Sequence, residues 1–295
     1  MKRRTLLKTS LLTITLGLSS FSYANTDTHT NTKKIISAGA SITQIINALN
    51  AQDQLVAVDL TSKTLVDKSV PKVGYHRQLS AENLMSLTPT NVIGSDEMGP
   101  QSTLDLLKQS GVSVDVVNSG ETVKDLLQRI DQIASLTHHQ QRAEVLKEKL
   151  SKQLNEIKQA TDNIKTAKKV LFLMIHDGRP INVAGSNTTA DSIISLAGAV
   201  NPAAESVSNY KPISAEAIVT MQPDIILLST RTASKIKSMQ DLVKQMPLID
   251  ATPAATNNAL LTINGTALIG GLGLESVNEA LRLNQIIYPL SSISK

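Results

Sequence analysis

The sequence predicts an α/β protein of two lobes joined by one long helix. Three observations carry this. Short apolar runs alternate with helical patterns from Lys33 onward, which predicts α/β units around a mostly parallel sheet. A stretch from His139 to Lys165 holds no Gly or Pro and reads as one amphipathic helix, with Ala143, Leu146, Leu150, Leu154 and Ile157 at i, i+3/i+4 spacing. Finally, Leu79-Ser80-Ala81-Glu82 with Pro89 and Ile213-Ser214-Ala215-Glu216 with Pro223 repeat one pattern, once in each half.

The elements follow in order. Lys2, Arg3 and Arg4 before an apolar Leu11–Leu18 run and Ser22-Tyr23-Ala24 read as an export signal over residues 1–24, of the Sec or the twin-arginine type. The polar, Thr- and Asn-rich residues 25–32 read as a loose leader. A first lobe, 33–138, begins with a strand at Ile35–Ala38 and a helix over 41–49. Strands follow at Leu55–Val58, Asn91–Gly94 and Val114–Val117, with a helix over 102–110 stopped by Gly111. The connecting helix is placed at 139–167. A second lobe, 168–295, carries strands at Lys169–Met174, Ile225–Leu228 and Leu260–Ile263, and helices over 189–196 and 274–287. Ser80 and Ser214 read as helix N-caps, with Glu82 and Glu216 in the first turn, where a carboxylate complements the helix dipole. Gly270-Gly271-Leu272-Gly273 reads as a turn before the last helix, since it lacks the spacing of a dinucleotide fingerprint.

Composition narrows the function. The chain has no cysteine, which excludes disulfides, thiolate metal sites, a cysteine nucleophile and an acylated cysteine anchor. Its net charge of +4 is spread along the chain and makes no nucleic-acid footprint. Five scattered histidines supply no free-metal cluster, and no Ser-His-Asp set or phosphate loop is present, so no catalysis is indicated. Two lobes on a rigid helix enclose a cleft, and ligands of such folds bind at loops after strand ends. Together with the export signal, this suggests an exported, unanchored binding protein.

Tyr75 is one of four tyrosines in a chain with no tryptophan. If its segment is extended, Tyr75 and Arg77 share a face and His76 takes the other. The residues alone leave two readings open: a surface tyrosine packed under an arginine, or a phenol whose ionised form the guanidinium favours, which would be a hard oxygen ligand for ferric iron. His176 and Arg179 lie on a strand-end loop of the second lobe, and Tyr210 and Lys211 precede the second Ser-Ala-Glu string.

Val73-Gly74-Tyr75-His76-Arg77-Gln78-Leu79-Ser80-Ala81-Glu82 resembles the signature of the periplasmic haem-binding proteins of ABC importers. Val183-Ala184-Gly185, Thr188-Thr189-Ala190-Asp191, Leu196-Ala197-Gly198, Tyr210-Lys211-Pro212-Ile213-Ser214-Ala215-Glu216 and Gly265-Thr266-Ala267 resemble later motifs of the same family. The resemblance implies the class III, helical-backbone substrate-binding fold of two Rossmann-like lobes, and a monomer. It further implies haem as transported ligand, with Tyr75 as axial iron ligand and Arg77 beside it. His176 would be a second ligand, and Arg179 or Lys211 would pair with haem propionates while Tyr210 stacks on the ligand or forms a lid. Glu82 and Glu216 would dock on an inner-membrane permease dimer driven by its ATPase. A siderophore or vitamin B12 on the same scaffold is the nearest alternative; a chelatase-like enzyme acting on tetrapyrroles is the alternative of another class.

Overall fold

The structure, a computed structural model, describes residues 33–162 and 164–289. The expected export signal and leader lie outside the described residues. Chain order in the first lobe is β1 (Ile35–Ala38), α1 (Ala40–Ala48), β2 (Leu55–Val58), α2 (Ala81–Met85), β3 (Asn91–Ser95), α3 (Gln101–Gln109), β4 (Ser113–Val117) and α4 (Val123–Thr137). Then comes α5 (Gln140–Thr161). The second lobe runs β5 (Val170–Met174), β6 (Asn182–Ala184), α6 (Thr189–Leu196), β7 (Tyr210–Pro212), α7 (Ala215–Met221) and β8 (Ile225–Ser229). It ends with α8 (Thr230–Ala233), α9 (Met239–Gln245), α10 (Pro253–Thr256), β9 (Leu260–Ile263) and α11 (Leu274–Ile287).

Two sheets result. The first is four-stranded and wholly parallel in the order β2-β1-β3-β4. The second has five strands in the order β7-β6-β5-β8-β9, with β5, β8 and β9 parallel and β6 and β7 antiparallel at one side. Strands β1 and β5 are buried along nearly their whole length, as expected of parallel strands covered on both faces. The fold is the α/β class expected.

Three departures from the expected elements have physical reasons. Helix α4 was not anticipated, although Thr122 and Asp125 form a reciprocal capping box at its start. It ends at His138, in the left-handed region at φ 60°, and α5 starts two residues later. The expected connecting helix over 139–167 is therefore shorter, Gln140–Thr161. Strands β6 and β7 were also missed. Each has three residues, and Pro212 is compatible with strand structure because β7 lies at the edge.

On α5, Ala143, Leu150 and Ile157 are buried, seven residues apart, and Leu146 and Leu154 pack beside them. This stripe joins one continuous apolar cluster that includes Ile35 and Ile93 of the first sheet and Val170, Phe172 and Leu227 of the second. Helix α11 packs against α1, α5 and α6. The lobes thus share a core, which favours small, stiff relative motion over wide hinge opening. Among the described residues, no helix is long and apolar enough to cross a membrane.

Candidate functional site

Parallel strands place chemistry at their C-terminal ends. In the first lobe those ends lead into Asp59 after β2, Glu97 after β3 and Glu121 after β4; in the second they lead into His176 after β5 and Arg231 after β8. The named first-lobe groups are acidic; in the second lobe Asp177 accompanies His176.

The loop carrying Tyr75 is pinned on both sides. Leu60 N–H donates to Gly74 O at 2.8 Å and Val73 N–H to Val58 O at 3.0 Å. Leu79 N–H donates to Gly99 O at 2.8 Å and Gly99 N–H to His76 O at 3.0 Å. Gly74 sits at φ 100°, which a side chain would resist, and this bend starts the loop. Tyr75 itself is extended, and His76–Gln78 then tighten into a 3-10 turn. The segment is therefore not extended past Tyr75, yet exposure still alternates as expected, with Tyr75 and Arg77 outward and His76 inward. Tyr75 is 39% exposed and His76 only 2%. The two rings contact each other with centroids 4.4 Å apart. Arg77 is exposed and its guanidinium pairs with Glu97.

Sequence reasoning passed over His76. Its Nδ1 lies 2.9 Å from Asp59 Oδ2 and its Nε2 lies 3.5 Å from Glu97 Oε2. Burial disfavours the imidazolium, but hydrogen bonds to Asp59 and Glu97 outweigh it and raise the His76 pKa. Burial likewise opposes ionisation of Asp59, yet hydrogen bonds from His76, Ser62 and Thr61 hold it below the usual carboxylate value. The His76 hydrogen bond keeps Glu97 low as well, against burial and with help from Arg77. Carboxylates and nitrogen groups alternate along Asp59, His76, Glu97 and Arg77.

In the second lobe, His176 and Arg179 line a cavity of about 480 Å³ together with Arg231 and Lys235. That volume lies within the roughly 300–1,000 Å³ common for small-molecule sites. His176 and Arg179 are exposed and belong to one turn, in which Arg179 N–H donates to His176 O at 3.2 Å. Lys235 pairs with Asp177. Arg231 and Lys235 had no sequence signal beyond their charge; the position just after β8 was the clue available. Tyr75, Arg77, Tyr210 and Lys211 do not line this cavity. Lys211 is exposed on β7. Tyr210 is half-buried and meets Phe172 edge-on at 6.4 Å. Burial, then the charges of Glu121 and Glu97, push its hydroxyl pKa up. Among the described residues, no group of three or more His, Asp or Glu is placed to hold a bare metal ion.

Glu121 joins the lobes. Its Oε1 accepts from Thr189 Oγ1 at 2.9 Å and its backbone carbonyl accepts from Ser192 Oγ at 2.8 Å, both on α6. Its Oε2 is buried without a hydrogen-bond partner. Burial pushes the Glu121 pKa up to about 7; Thr189 and Arg129 oppose this, while Glu97 and Asp125 add to it. A carboxyl raised in the fold gives stability that is complete below its unfolded value and lost as pH rises through 7. Glu121→Gln keeps the acceptor for Thr189 and cannot ionise. Urea unfolding from pH 5 to 8 should show the wild type losing on the order of 2 kcal/mol that the variant keeps.

Glu82 and Glu216 are both exposed in the first turns of α2 and α7. Ser80 Oγ accepts from Asn83 N–H at 3.4 Å and Ser214 Oγ from Ala217 N–H at 3.2 Å. The repeat extends to the helix ends, where Thr88 and Gln222 both take φ 47° immediately before Pro89 and Pro223.

Comparison with known proteins agrees with this architecture. The solved structure of the periplasmic haem-binding protein HutB of Vibrio cholerae is 49% identical, with a TM-score of 0.82, covering 86% of this chain and 98% of that one. A periplasmic haem-binding protein of Pseudomonas aeruginosa is 32% identical, with a TM-score of 0.79 and coverage of 88% and 93%. Among curated sequences, the vitamin B12-binding protein of Vibrio parahaemolyticus is 24% identical over 79% of this chain and 81% of its own. The Periplasmic binding protein family matches residues 35–266, and the chain belongs to that family.

Proposed function

We propose that the chain binds ferric haem between its lobes and delivers it to an ABC permease. The observation that carries this is the pairing of a half-exposed Tyr75, clamped at the strand ends of one lobe, with a cavity bearing His176, Arg179, Arg231 and Lys235 in the other. Iron needs a donor, and the Tyr75 phenolate is a hard oxygen suited to ferric haem. The two propionates need cations, and Arg179 and Arg231 can meet a carboxylate with two parallel N–H donors. Lys211, on β7, is a further cation for a propionate. His176 is the candidate for the iron's opposite face. Tyr210 would present its ring edge rather than serve as a stacking lid, because Phe172 already holds it. The likeness to HutB, at 49% identity, supports the same ligand.

Vitamin B12 is the competing cargo, as the curated relative binds it. A cobalamin's periphery is mostly neutral amide, which gives Arg179 and Arg231 little to neutralise; haem's two carboxylates suit them better. A titration panel decides between them. Ferric haem, cyanocobalamin and a ferric catecholate are each added to the purified chain and followed by absorbance. Saturable binding of haem alone is expected; tighter binding of either competitor would overturn the reading.

A binding role also suits the exposed, symmetric Glu82 and Glu216, which we assign to docking on the permease dimer. Two equivalent carboxylates, one per lobe, match a two-fold partner. Glu82→Ala with Glu216→Ala should leave haem affinity unchanged and abolish uptake through the cognate transporter in reconstituted vesicles. Uptake at the wild-type rate would reduce both to helix-start residues. We place the protein free in the periplasm, a reading supported by its lack of cysteine.

A further inference from the structure

We propose that His76 is the positioning residue of the haem site, holding the Tyr75 phenol and the Arg77 guanidinium in register through Asp59 and Glu97. This rests on the reading that Tyr75 ligates haem iron. Four observations support it, none of which needs the ligand.

The first is burial. His76 is 2% exposed and Asp59 is fully buried, although both sit in loops at the strand ends. Burying polar groups is costly, and this pair is hydrogen-bonded at 2.9 Å, so its geometry is fixed by its surroundings. The second is saturation. Asp59 takes the His76 ring nitrogen at 2.9 Å, Thr61 Oγ1 at 2.8 Å and Ser62 Oγ at 2.8 Å, so the anchor is itself held from three directions. The third is the ring contact. The His76 imidazole lies 4.4 Å from the Tyr75 ring at an interplanar angle of 53°, which limits the directions the phenol can take. The fourth is continuity. The other ring nitrogen faces Glu97, whose second oxygen takes Arg77, so one chain of contacts runs from the end of β2 to the Arg77 guanidinium.

A side chain that directs a ligand without touching the metal changes affinity and electronic structure together. Four variants of the full chain, His76→Gln, His76→Asn, Glu97→Gln and Tyr75→Phe, are compared with wild type by ferric haem titration and by the energy of the phenolate-to-iron absorption band. His76→Gln should keep the band but shift it, and lower affinity by roughly 10- to 100-fold, the range seen when such supporting contacts are lost. Glu97→Gln should move both readouts in the same direction by a smaller factor. His76→Asn, which can still donate toward Asp59, should recover part of the loss.

A folded His76→Gln with wild-type affinity and band energy overturns the proposal. If His76→Gln does not fold, the half-exposed Glu97 decides the matter: wild-type affinity and band in Glu97→Gln overturn it equally. Tyr75→Phe separates the two levels of failure. If that variant retains the wild-type spectrum, the ligand assignment falls and the proposal with it. If it loses the band while His76→Gln is unchanged, only the positioning role is lost.

Discussion

Replacing Tyr75 by phenylalanine is expected to lower ferric haem affinity by about 100-fold, or about 2.8 kcal/mol, while leaving the fold intact. The substitution removes one oxygen. Tyr75 is 39% exposed and its packing contact is the ring of His76, which phenylalanine preserves. Unfolding free energy should therefore stay within about 0.5 kcal/mol of wild type. What is lost is the bond between a hard anionic donor and ferric iron. The remaining affinity would come from the cations that line the second lobe's cavity and from apolar burial of the porphyrin faces. A haem titration beside a urea melt reads both quantities, and equal affinity in the two proteins would remove Tyr75 from the iron.

The largest expected loss of stability lies away from the ligand. Arg129 on α4 is fully buried. Its Nε donates to Asn118 O at 2.5 Å, Nη1 to Leu272 O at 3.1 Å and Nη2 to Gly120 O at 3.0 Å. It ties the loop after β4 to the glycine turn before α11, the segment read from sequence as a simple turn. Packing there is tight: a Cβ on Gly271, which sits at φ 80°, would come within 2.7 Å of Arg129 Nη2. Arg129→Met keeps much of the volume but leaves the carbonyls of Asn118 and Leu272 without their donor, while Gly120 O keeps Leu272 N–H. Each orphaned group costs about 1–3 kcal/mol, partly offset by no longer burying a charge. A net loss of about 3 kcal/mol is expected, which for a chain of this size lowers Tm by roughly 6–12 °C. Arg129→Lys should not restore it, because an ammonium cannot span three carbonyls in a fork. Thermal melts of the two variants check this.

Much of this architecture was legible in the sequence because it is local. β1, β2, β3, β4, β5, β8 and β9 are apolar runs, and α1, α3, α6 and α11 have amphipathic spacing and lie close to their expected places. The Ser-Ala-Glu repeat was legible for the same reason, since a cap and its first turn are set by neighbours in the chain. What was hidden depends on distant partners. Strands β6 and β7 exist through antiparallel pairing on β5, and nothing in Asn182–Ala184 or Tyr210–Pro212 alone demands it. His76 reads as a polar loop residue until Asp59, 17 residues earlier, folds against it. The same applies to Glu121, whose partners Thr189 and Ser192 belong to the other lobe. The backbone assumed for Tyr75 and Arg77 was wrong, because a 3-10 turn replaced the extended segment, although both residues still face outward and His76 inward.

The central claim is an iron-phenolate bond from Tyr75, and resonance Raman spectroscopy of the ferric haem complex tests it most directly. Excitation in the charge-transfer band should enhance an iron-oxygen stretch and phenolate ring modes, and both should vanish in Tyr75→Phe. A wild-type spectrum of low-spin haem held by two nitrogen ligands, with no phenolate modes, would contradict the account.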